Sequence, residues 1–582
     1  MSRQDTAAVN LRWALTLIDG LVAAGVGQAV ISPGSRSTPL ALACEQHPGM
    51  RVHVVLDERS AAFFALGLAR AESRPAALIA TSGSAPANWF PALVEANHGL
   101  VPLILLSADR PPELRACGAN QTIEQAGMFG AQVRFAFDLG VPEETPAVLR
   151  QLAARARQAV EASRWPLPGP VHLNVPLREP LVPAAPVDFA FSAAGSAAAL
   201  PAVQPAAAEV ARLAAAISGQ PGLIVCGAAD QPPGYAAAVT ALAARLDCPL
   251  LADPLANLRF GGHDRSRVLT HYDTFLRDPR FVETQRPAWV LRFGAIPVSK
   301  ALQHYLVTPM QDNLDGTCHV LVDPHGRHLD PLHLSTLLHA DAETLCAALT
   351  AQPLEAAPPG WMAAFAAREA SLAACGAPLP IEAEVIRAML ALLPPQSTLF
   401  CGNSMPIRDL DSFSGSGEKP LRVVANRGVS GIDGNISTVL GMAAAQRGKV
   451  AALLGDLACC HDIGGLLAAR GLDAVLVVLN NGGGGIFGYL PQAGLESFER
   501  LWLTPAGLDF AQAAKLYGLG YRRAGNPAEF AAAFAQQLES PGVHLLEVVV
   551  DRQASLAAHR AYWEKADNQS AGESQCQKSS TT

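Results

Sequence analysis

Apolar residues fall along this chain in two alternating patterns. Short unbroken runs of Val, Ile, Leu and Ala are separated by stretches in which apolar positions recur every three or four residues. A strand buried on both faces gives the first pattern and an amphipathic helix the second, so the alternation predicts parallel α/β units. In the first part, strands are predicted over 28–31, 52–56, 76–80, 103–107 and 172–175. One helix presents Leu11, Leu15, Ile18 and Val22, and a second covers 60–70. The middle part gives strands at 223–226, 250–252, 289–293 and 319–322. The last gives 399–401, 422–425, 450–454, 475–479 and 545–550.

Two junctions rich in Ala and Pro interrupt this rhythm, one ending near residue 208 and one at 351–359. They divide the chain into a first domain (1–182), a linker (183–208), a central domain (209–355) and a third domain (356–566). The linker also reads as a segment running loosely over the surface. A polar, Ser/Gln-rich tail over 567–582 reads as disordered. The expected fold class is α/β, with three doubly wound parallel-sheet domains. At roughly 150 residues per domain, 582 residues accommodate them.

Composition narrows the function classes. Half of the residues are apolar and 16% are charged, so large cores are affordable in material terms and general disorder is excluded. Lys and Arg number 43 against 51 Asp and Glu, a net charge of −8, with no basic stripe of the kind a nucleic-acid binder carries. The eleven cysteines include no CxxC pair, which argues against a zinc site or a disulfide framework and fits a reducing cytoplasm. No apolar run reaches the ~18 residues that span a bilayer, so no membrane insertion is expected.

Candidate chemistry sits where predicted strands end. Gly455-Asp456 closes one strand and Asn480-Asn481 the next, 24 positions from Asp456 to Asn480. Carboxyl ends of neighbouring parallel strands lie together, and that is where ligands bind. An Asp carboxylate and an Asn carbonyl there are hard oxygen donors for Mg²⁺, whose remaining ligands would be phosphate oxygens and water. The glycines after Asn481 allow close backbone approach to a diphosphate, with a carbonyl ligand expected at Gly483. Gly483, Gly485 and Gly488 also satisfy G-x-G-x-x-G, which would imply a dinucleotide site if a helix opened at the last glycine. Glu58 follows another strand, just before an apolar helix. There a carboxylate either caps the helix or, if buried against a heterocycle, shares a proton with a ring nitrogen.

Together these motifs resemble the thiamine diphosphate-dependent enzymes. The segment VVLDERSAAFFALGLAR carries Glu58, and GDLACC with LNNGGGGIFG carries the metal–diphosphate element, although Leu457 stands where a third glycine is usual. Five further segments (31–43, 81–96, 107–125, 402–411 and 426–438) resemble the branch that handles 2-oxoglutarate and isochorismate in menaquinone biosynthesis. The resemblance implies a pyrimidine-binding, a central and a diphosphate-binding domain in that order. It also implies thiamine diphosphate and Mg²⁺ (or Mn²⁺) as cofactors, and a homodimer with active sites between chains, further paired as a homotetramer. Glu58 would hydrogen-bond the aminopyrimidine. Asp456, Asn481 and Gly483 would hold the metal. Gly455, Leu457, Ile432, Ile486 and Phe487 would line the cofactor, Ile432 bending it.

Both implied substrates are dicarboxylates, and a site for them calls for fixed arginines. Loops after predicted strands provide Arg36, Arg110, Arg408 and Arg427, with Ser35 and Gln121 as polar neighbours. By the resemblance, Arg36, Arg110, Gln121 and Lys300 belong to the isochorismate side, and Ser404, Arg408 and Arg427 to 2-oxoglutarate, with Ser35 a further member of the site. The family often shows a Lys-Arg pair where this chain has Lys300-Ala301. Two alternatives remain at this point: a sibling thiamine-dependent carboligase such as an acetohydroxyacid synthase relative, or a catalytically silent diphosphate-binding protein.

Overall fold

A computed structural model describes residues 3–192, 198–311, 318–374 and 378–564. The expected tail at 567–582 and part of the expected linker lie outside them. Among the described residues, eighteen strands form three parallel six-stranded sheets. The first sheet contains β1 (Gln28–Ile31), β2 (Arg51–Val54), β3 (Ala76–Ala80), β4 (Leu103–Asp109), β5 (Phe135–Asp138) and β6 (Pro170–Pro176), in the order β2-β1-β3-β4-β6-β5. The second contains β7 (Gly222–Cys226), β8 (Leu250–Ala252), β9 (Val268–Leu269), β10 (Trp289–Phe293), β11 (Cys318–Val322) and β12 (Thr336–Leu338), in the order β12-β11-β10-β7-β8-β9. The third contains β13 (Thr398–Cys401), β14 (Arg422–Val424), β15 (Val450–Gly455), β16 (Ala474–Asn480), β17 (Gly520–Ala524) and β18 (Val543–Val549). Its order is β14-β13-β15-β16-β18-β17.

The first and third sheets therefore share one topology. Each has a switch point, between β1 and β3 in the first and between β13 and β15 in the third, where a crevice opens at the carboxyl ends. The central sheet has its switch between β7 and β10. There an ideal Cβ on Gly227 would stand 1.6 Å from the Ala295 carbonyl oxygen, so the chain's own backbone fills that crevice. The crevices left for a ligand are those of the outer two sheets.

The helices that position the site are α1 (Arg3–Ala23), α2 (Glu58–Glu72), α3 (Phe90–His98), α4 (Lys300–Gln311), α5 (Trp361–Ala373), α6 (Met405–Phe413), α7 (Asn435–Ala444) and α8 (Asp456–His461). The apolar face of α1 is buried as its spacing predicts. Helices α2 and α7 lie between the first and third sheets and are buried on nearly every side. Phe63, Phe64 and Leu66 from α2, and Ile436, Val439 and Leu440 from α7, join both sheets in one core. Each such side chain contributes about 2 kcal/mol by leaving water. Helix α5 packs on the central sheet through Trp361, Met362 and Phe365, and Trp361 Nε1 donates to the Gly222 carbonyl (2.9 Å), although the Pro-rich junction precedes it.

Val187, Phe189 and Phe191 pack on the first domain, and the Phe191 ring stands 4.7 Å from that of His47. Among the described residues no helix is long and apolar enough to cross a membrane.

Candidate active site

At the switch point of the third sheet, β15 ends in Gly455 and Asp456 opens α8. The Asp456 carboxylate is buried. Its Oδ1 accepts from the Leu457 N–H (2.8 Å) and its Oδ2 from the Gly483 N–H (2.7 Å). Burial pushes its pKa up to about 6, against these backbone donors. On the next strand the two asparagines divide. Asn480 is occupied, donating to Glu547 Oε1 (2.7 Å) and accepting from the Gly482 N–H (3.2 Å). Asn481 Oδ1 is buried with no hydrogen-bond partner. Such an oxygen costs about 1–3 kcal/mol unless a ligand uses it, and beside Asp456 it fits a hard divalent cation.

Gly483 has φ +139°, and its carbonyl accepts from the Gly485 N–H (2.8 Å), which leaves one lone pair for a ligand. Ile486 and Phe487 are half-buried in a 3₁₀ turn over Gly485–Tyr489. No α-helix opens at Gly488, so the dinucleotide reading of these glycines is set aside. Above Gly455 a Cβ would meet nothing within 4 Å, and this leaves room for a diphosphate.

Two carboxylates compete for the start of α2. Asp57 takes the cap, with Oδ1 accepting from Arg59 N–H (2.8 Å) and Ser60 N–H (3.4 Å). Glu58, the first helical residue, is thus free of the capping role. It is half-buried and has no hydrogen bond or ion pair among the described residues. The functional reading asks for a buried Glu58. In one chain Glu58 is only half-buried, and Val54 and Leu56 close to it in sequence are 68% and 64% exposed. The neighbouring Arg59 donates to the His461 carbonyl (3.2 Å), at the end of α8 opposite Asp456. Among the described residues no hydrogen bond or ion pair joins Glu58 to the Asp456–Asn481 cluster of the same chain.

The first sheet's switch point gathers Arg36, Arg110, Gln121 and Ser35. Arg36 is 4% exposed; Nη1 donates to the Leu177 carbonyl (2.9 Å), Nη2 to Glu179 Oε1 (2.7 Å), and Nε has no partner. Burial lowers its pKa, and the charge of Arg110 lowers it further. Arg110 donates to Ser82 Oγ (3.0 Å) and makes no ion pair among the described residues. Ser82 in turn donates to the Gln121 carbonyl (3.0 Å), and Gln121 Nε2 donates back to the Ser82 carbonyl (3.0 Å). Ser35 is exposed at the lip. Lys300 is not part of this group within one chain. It is exposed at the start of α4, donating to Gln303 (2.9 Å), while Ala301 is buried in the central core.

Arg408 and Arg427 meet beside the other switch point. Ser404, at φ 72° and ψ −129°, precedes α6, a conformation that costs a non-glycine residue about 1–3 kcal/mol. Its carbonyl accepts from Arg408 Nη1 (2.5 Å). Arg427 Nη1 donates to Asn403 Oδ1 (2.9 Å). Burial lowers the Arg408 pKa and the adjacent charge of Arg427 adds to this, against Asp409 and Asp273. Neither arginine makes an ion pair among the described residues. Ser299, next to Lys300, donates to Asp273 (2.6 Å), which sets Lys300 on this side of the chain. Ile432 is half-buried, and its carbonyl accepts from Asn435 Nδ2 (2.9 Å).

Ser82 and Asn403 orient site arginines without having been singled out in the sequence. The signal was a hydroxyl or amide two residues after a buried strand, inside segments already distinctive as motifs.

Three family models match the chain: thiamine pyrophosphate enzyme, N-terminal TPP binding domain (12–128), middle domain of thiamine pyrophosphate (202–401), and thiamine pyrophosphate enzyme, C-terminal TPP binding domain (414–548). A 2-succinyl-5-enolpyruvyl-6-hydroxy-3-cyclohexene-1-carboxylate synthase of Dechloromonas aromatica (strain RCB) is 46% identical over 94% of this chain and 99% of its own length. A protein of the same name from Geobacillus kaustophilus (strain HTA426) is 45% identical over 95% and 97%. The crystal structure of benzoylformate decarboxylase from Polynucleobacter necessarius superposes with a TM-score of 0.69 at 17% identity, covering 93% of this chain and 99% of that one, a likeness of fold.

Proposed function

Because this chain belongs to the 2-succinyl-5-enolpyruvyl-6-hydroxy-3-cyclohexene-1-carboxylate synthases of the thiamine pyrophosphate enzyme family, we propose that its two switch-point clusters are the two halves of one reaction centre. The chain is a thiamine diphosphate-dependent transferase of menaquinone biosynthesis. It releases carbon dioxide from 2-oxoglutarate and joins the remaining succinyl group to isochorismate by 1,4-addition. Bound thiamine diphosphate supplies the nucleophilic carbon and the electron sink for decarboxylation.

The protein's part is binding, orientation and proton placement. Asp456, Asn481 Oδ1 and the Gly483 carbonyl hold Mg²⁺ or Mn²⁺. Gly455 and Leu457 flank the diphosphate, and Ile432, Ile486 and Phe487 pack the rings. Glu58 holds a proton at the pyrimidine ring nitrogen. Ser404, Arg408 and Arg427 take the distal carboxylate of 2-oxoglutarate, while Ser35, Arg36, Arg110, Gln121 and Lys300 orient isochorismate. Held there, the metal would anchor the diphosphate.

The observation that carries this reading is the Arg408–Arg427 pair. Two partly buried guanidiniums that repel each other, neither of them in an ion pair among the described residues and with Asp409 and Asp273 acting on Arg408 only at longer range, call for an anionic ligand. The apolar surface of Val54 and Leu56 around Glu58 supports a second copy as its cover. The active unit is then a homodimer with sites between chains, paired again as a homotetramer and working in the cytoplasm.

A mass spectrum of the reaction mixture tests the reading, with protein, Mg²⁺, thiamine diphosphate, 2-oxoglutarate and isochorismate each omitted in turn. The expected product is the sum of both substrates minus carbon dioxide, lost on any omission. Carbon dioxide without the adduct would refute isochorismate as acceptor.

A further inference from the structure

Glu95 lies on α3 of the first domain and is 2% exposed. Its carboxylate is directed almost wholly at the third domain. Oε1 accepts from the Gly428 N–H (2.9 Å) and Oε2 from the Val429 N–H (2.9 Å), the two residues directly after Arg427. Arg70, on α2, completes the arrangement. Its Nη2 donates to Glu95 Oε1 (3.1 Å) and its Nη1 to the Ala425 carbonyl (2.8 Å), two residues before Arg427. The loop is thus pinned on both sides of Arg427, and it approaches α3 so closely that a Cβ on Gly428 would stand 2.5 Å from the Glu95 carbonyl oxygen.

A buried ion pair is a poor source of stability, because desolvation of both charges offsets most of their attraction. Here three of the four hydrogen bonds run to the backbone of one loop, and that loop carries a guanidinium whose other anchor is Asn403. We infer that Glu95, neutralised by Arg70, is a positioning residue that sets where the Arg427 guanidinium stands and thereby selects a donor substrate bearing a distal carboxylate. The inference rests on the proposed role of Arg427 toward 2-oxoglutarate. It adds that the donor arginine is aligned by the first domain, through Glu95 on α3 and through Arg70 near the end of α2, the helix that begins at Glu58. A bidentate contact misplaced by about 1 Å forfeits roughly a hundredfold.

The test uses the full-length protein with thiamine diphosphate and Mg²⁺. Glu95→Gln keeps the shape but turns an N–H toward one of the two backbone donors. Val429→Pro removes one donor, at a position whose side chain is 45% exposed, and leaves the Arg70–Glu95 pair in place. For both variants the KM for 2-oxoglutarate is expected to rise about tenfold or more, with kcat within about threefold and the isochorismate KM and cofactor affinity unchanged. The preference for 2-oxoglutarate over 2-oxobutyrate, which lacks the distal carboxylate, should fall by the same factor. A uniform loss of kcat with KM and preference intact would mean a merely structural role and would overturn the inference. Should Glu95→Gln fail to fold, Val429→Pro decides alone. Arg427→Gln separates the two claims. If it raises the 2-oxoglutarate KM while the other variants do not, only the positioning role falls. If it leaves that KM unchanged, the assignment of Arg427 falls and the inference with it.

Discussion

Gly67 and Gly441 each stand against the backbone of the other's helix. An ideal Cβ on Gly67 would lie 2.0 Å from the Thr438 carbonyl oxygen, and one on Gly441 would lie 2.0 Å from that of Phe64. The reciprocal contact lets α2 and α7 cross at their closest approach. It fixes the helix that begins at Glu58 against the helix that follows Ile432.

Gly67→Ala should therefore destabilise the fold by about 3 kcal/mol, the scale of an overpacked core. Urea unfolding would report a lower midpoint at unchanged slope. Because Gly441→Ala disturbs the same crossing, the double variant should lose less than the two single losses combined.

Asn481→Leu separates binding from stability. Removing the unpartnered buried oxygen should raise the stability of the cofactor-free protein by about 1 kcal/mol while abolishing retention of thiamine diphosphate with Mg²⁺. Calorimetric titration and thermal melting of the same sample read both. Asp456→Ala should also lose the cofactor, and tight binding in either variant would remove that residue from the metal site.

Glu58→Gln should cut turnover at least a hundredfold, the usual range for losing a proton-placing group, and leave cofactor affinity within a few fold. Asp57, not Glu58, caps α2, so the substitution should leave the melting temperature near that of the parent.

Arg408→Gln should raise the KM for 2-oxoglutarate roughly thirtyfold, the equivalent of one charge-assisted hydrogen bond of about 2 kcal/mol. With the repulsion from Arg427 relieved, the ligand-free protein should melt no lower than the parent. An unchanged KM would put Arg408 on the wrong substrate.

His172 makes the fold sensitive to acid. It is buried, with Nε2 2.7 Å from Ser107 Oγ and its ring edge-on to Phe129. Burial lowers its pKa to about 4, against the charge of Asp138. The unfolded histidine takes up its proton near pH 6.5 and the folded one only near 4. Its contribution is thus complete above pH 6.5 and is lost as pH falls through that window, by roughly 3 kcal/mol. Urea midpoints for the parent and a His172→Gln variant should diverge in pH dependence over that interval.

Most strands legible in the sequence are those buried on both faces, such as β3 and β16, where a run of apolar residues has no other explanation; β2, legible from its valines, is half-buried to exposed in one chain. The illegible ones are β5, β9, β12 and β17. Residues of β5 alternate half-buried and exposed, β9 has two residues, and β17 begins Gly-Tyr-Arg-Arg. In the site, Asp456 and Glu58 stood out as charges closing apolar runs. Which of Asp57 and Glu58 caps the helix depends on backbone angles that composition does not carry. Glu95 was invisible because its role is defined by a loop 333 residues away.

The core shared by α2 and α7 also has a temporal side. Phe63, Phe64 and Leu66 are made early, while the helix that covers them spans Asn435–Ala444 and follows the whole central domain. At ribosomal speeds of about 5–20 residues per second, the face of α2 waits roughly twenty seconds to more than a minute for its cover. During that interval the nascent first domain presents an apolar helix to the cell, so chaperone demand should fall on this segment rather than on the central domain, whose sheet closes within its own stretch of chain.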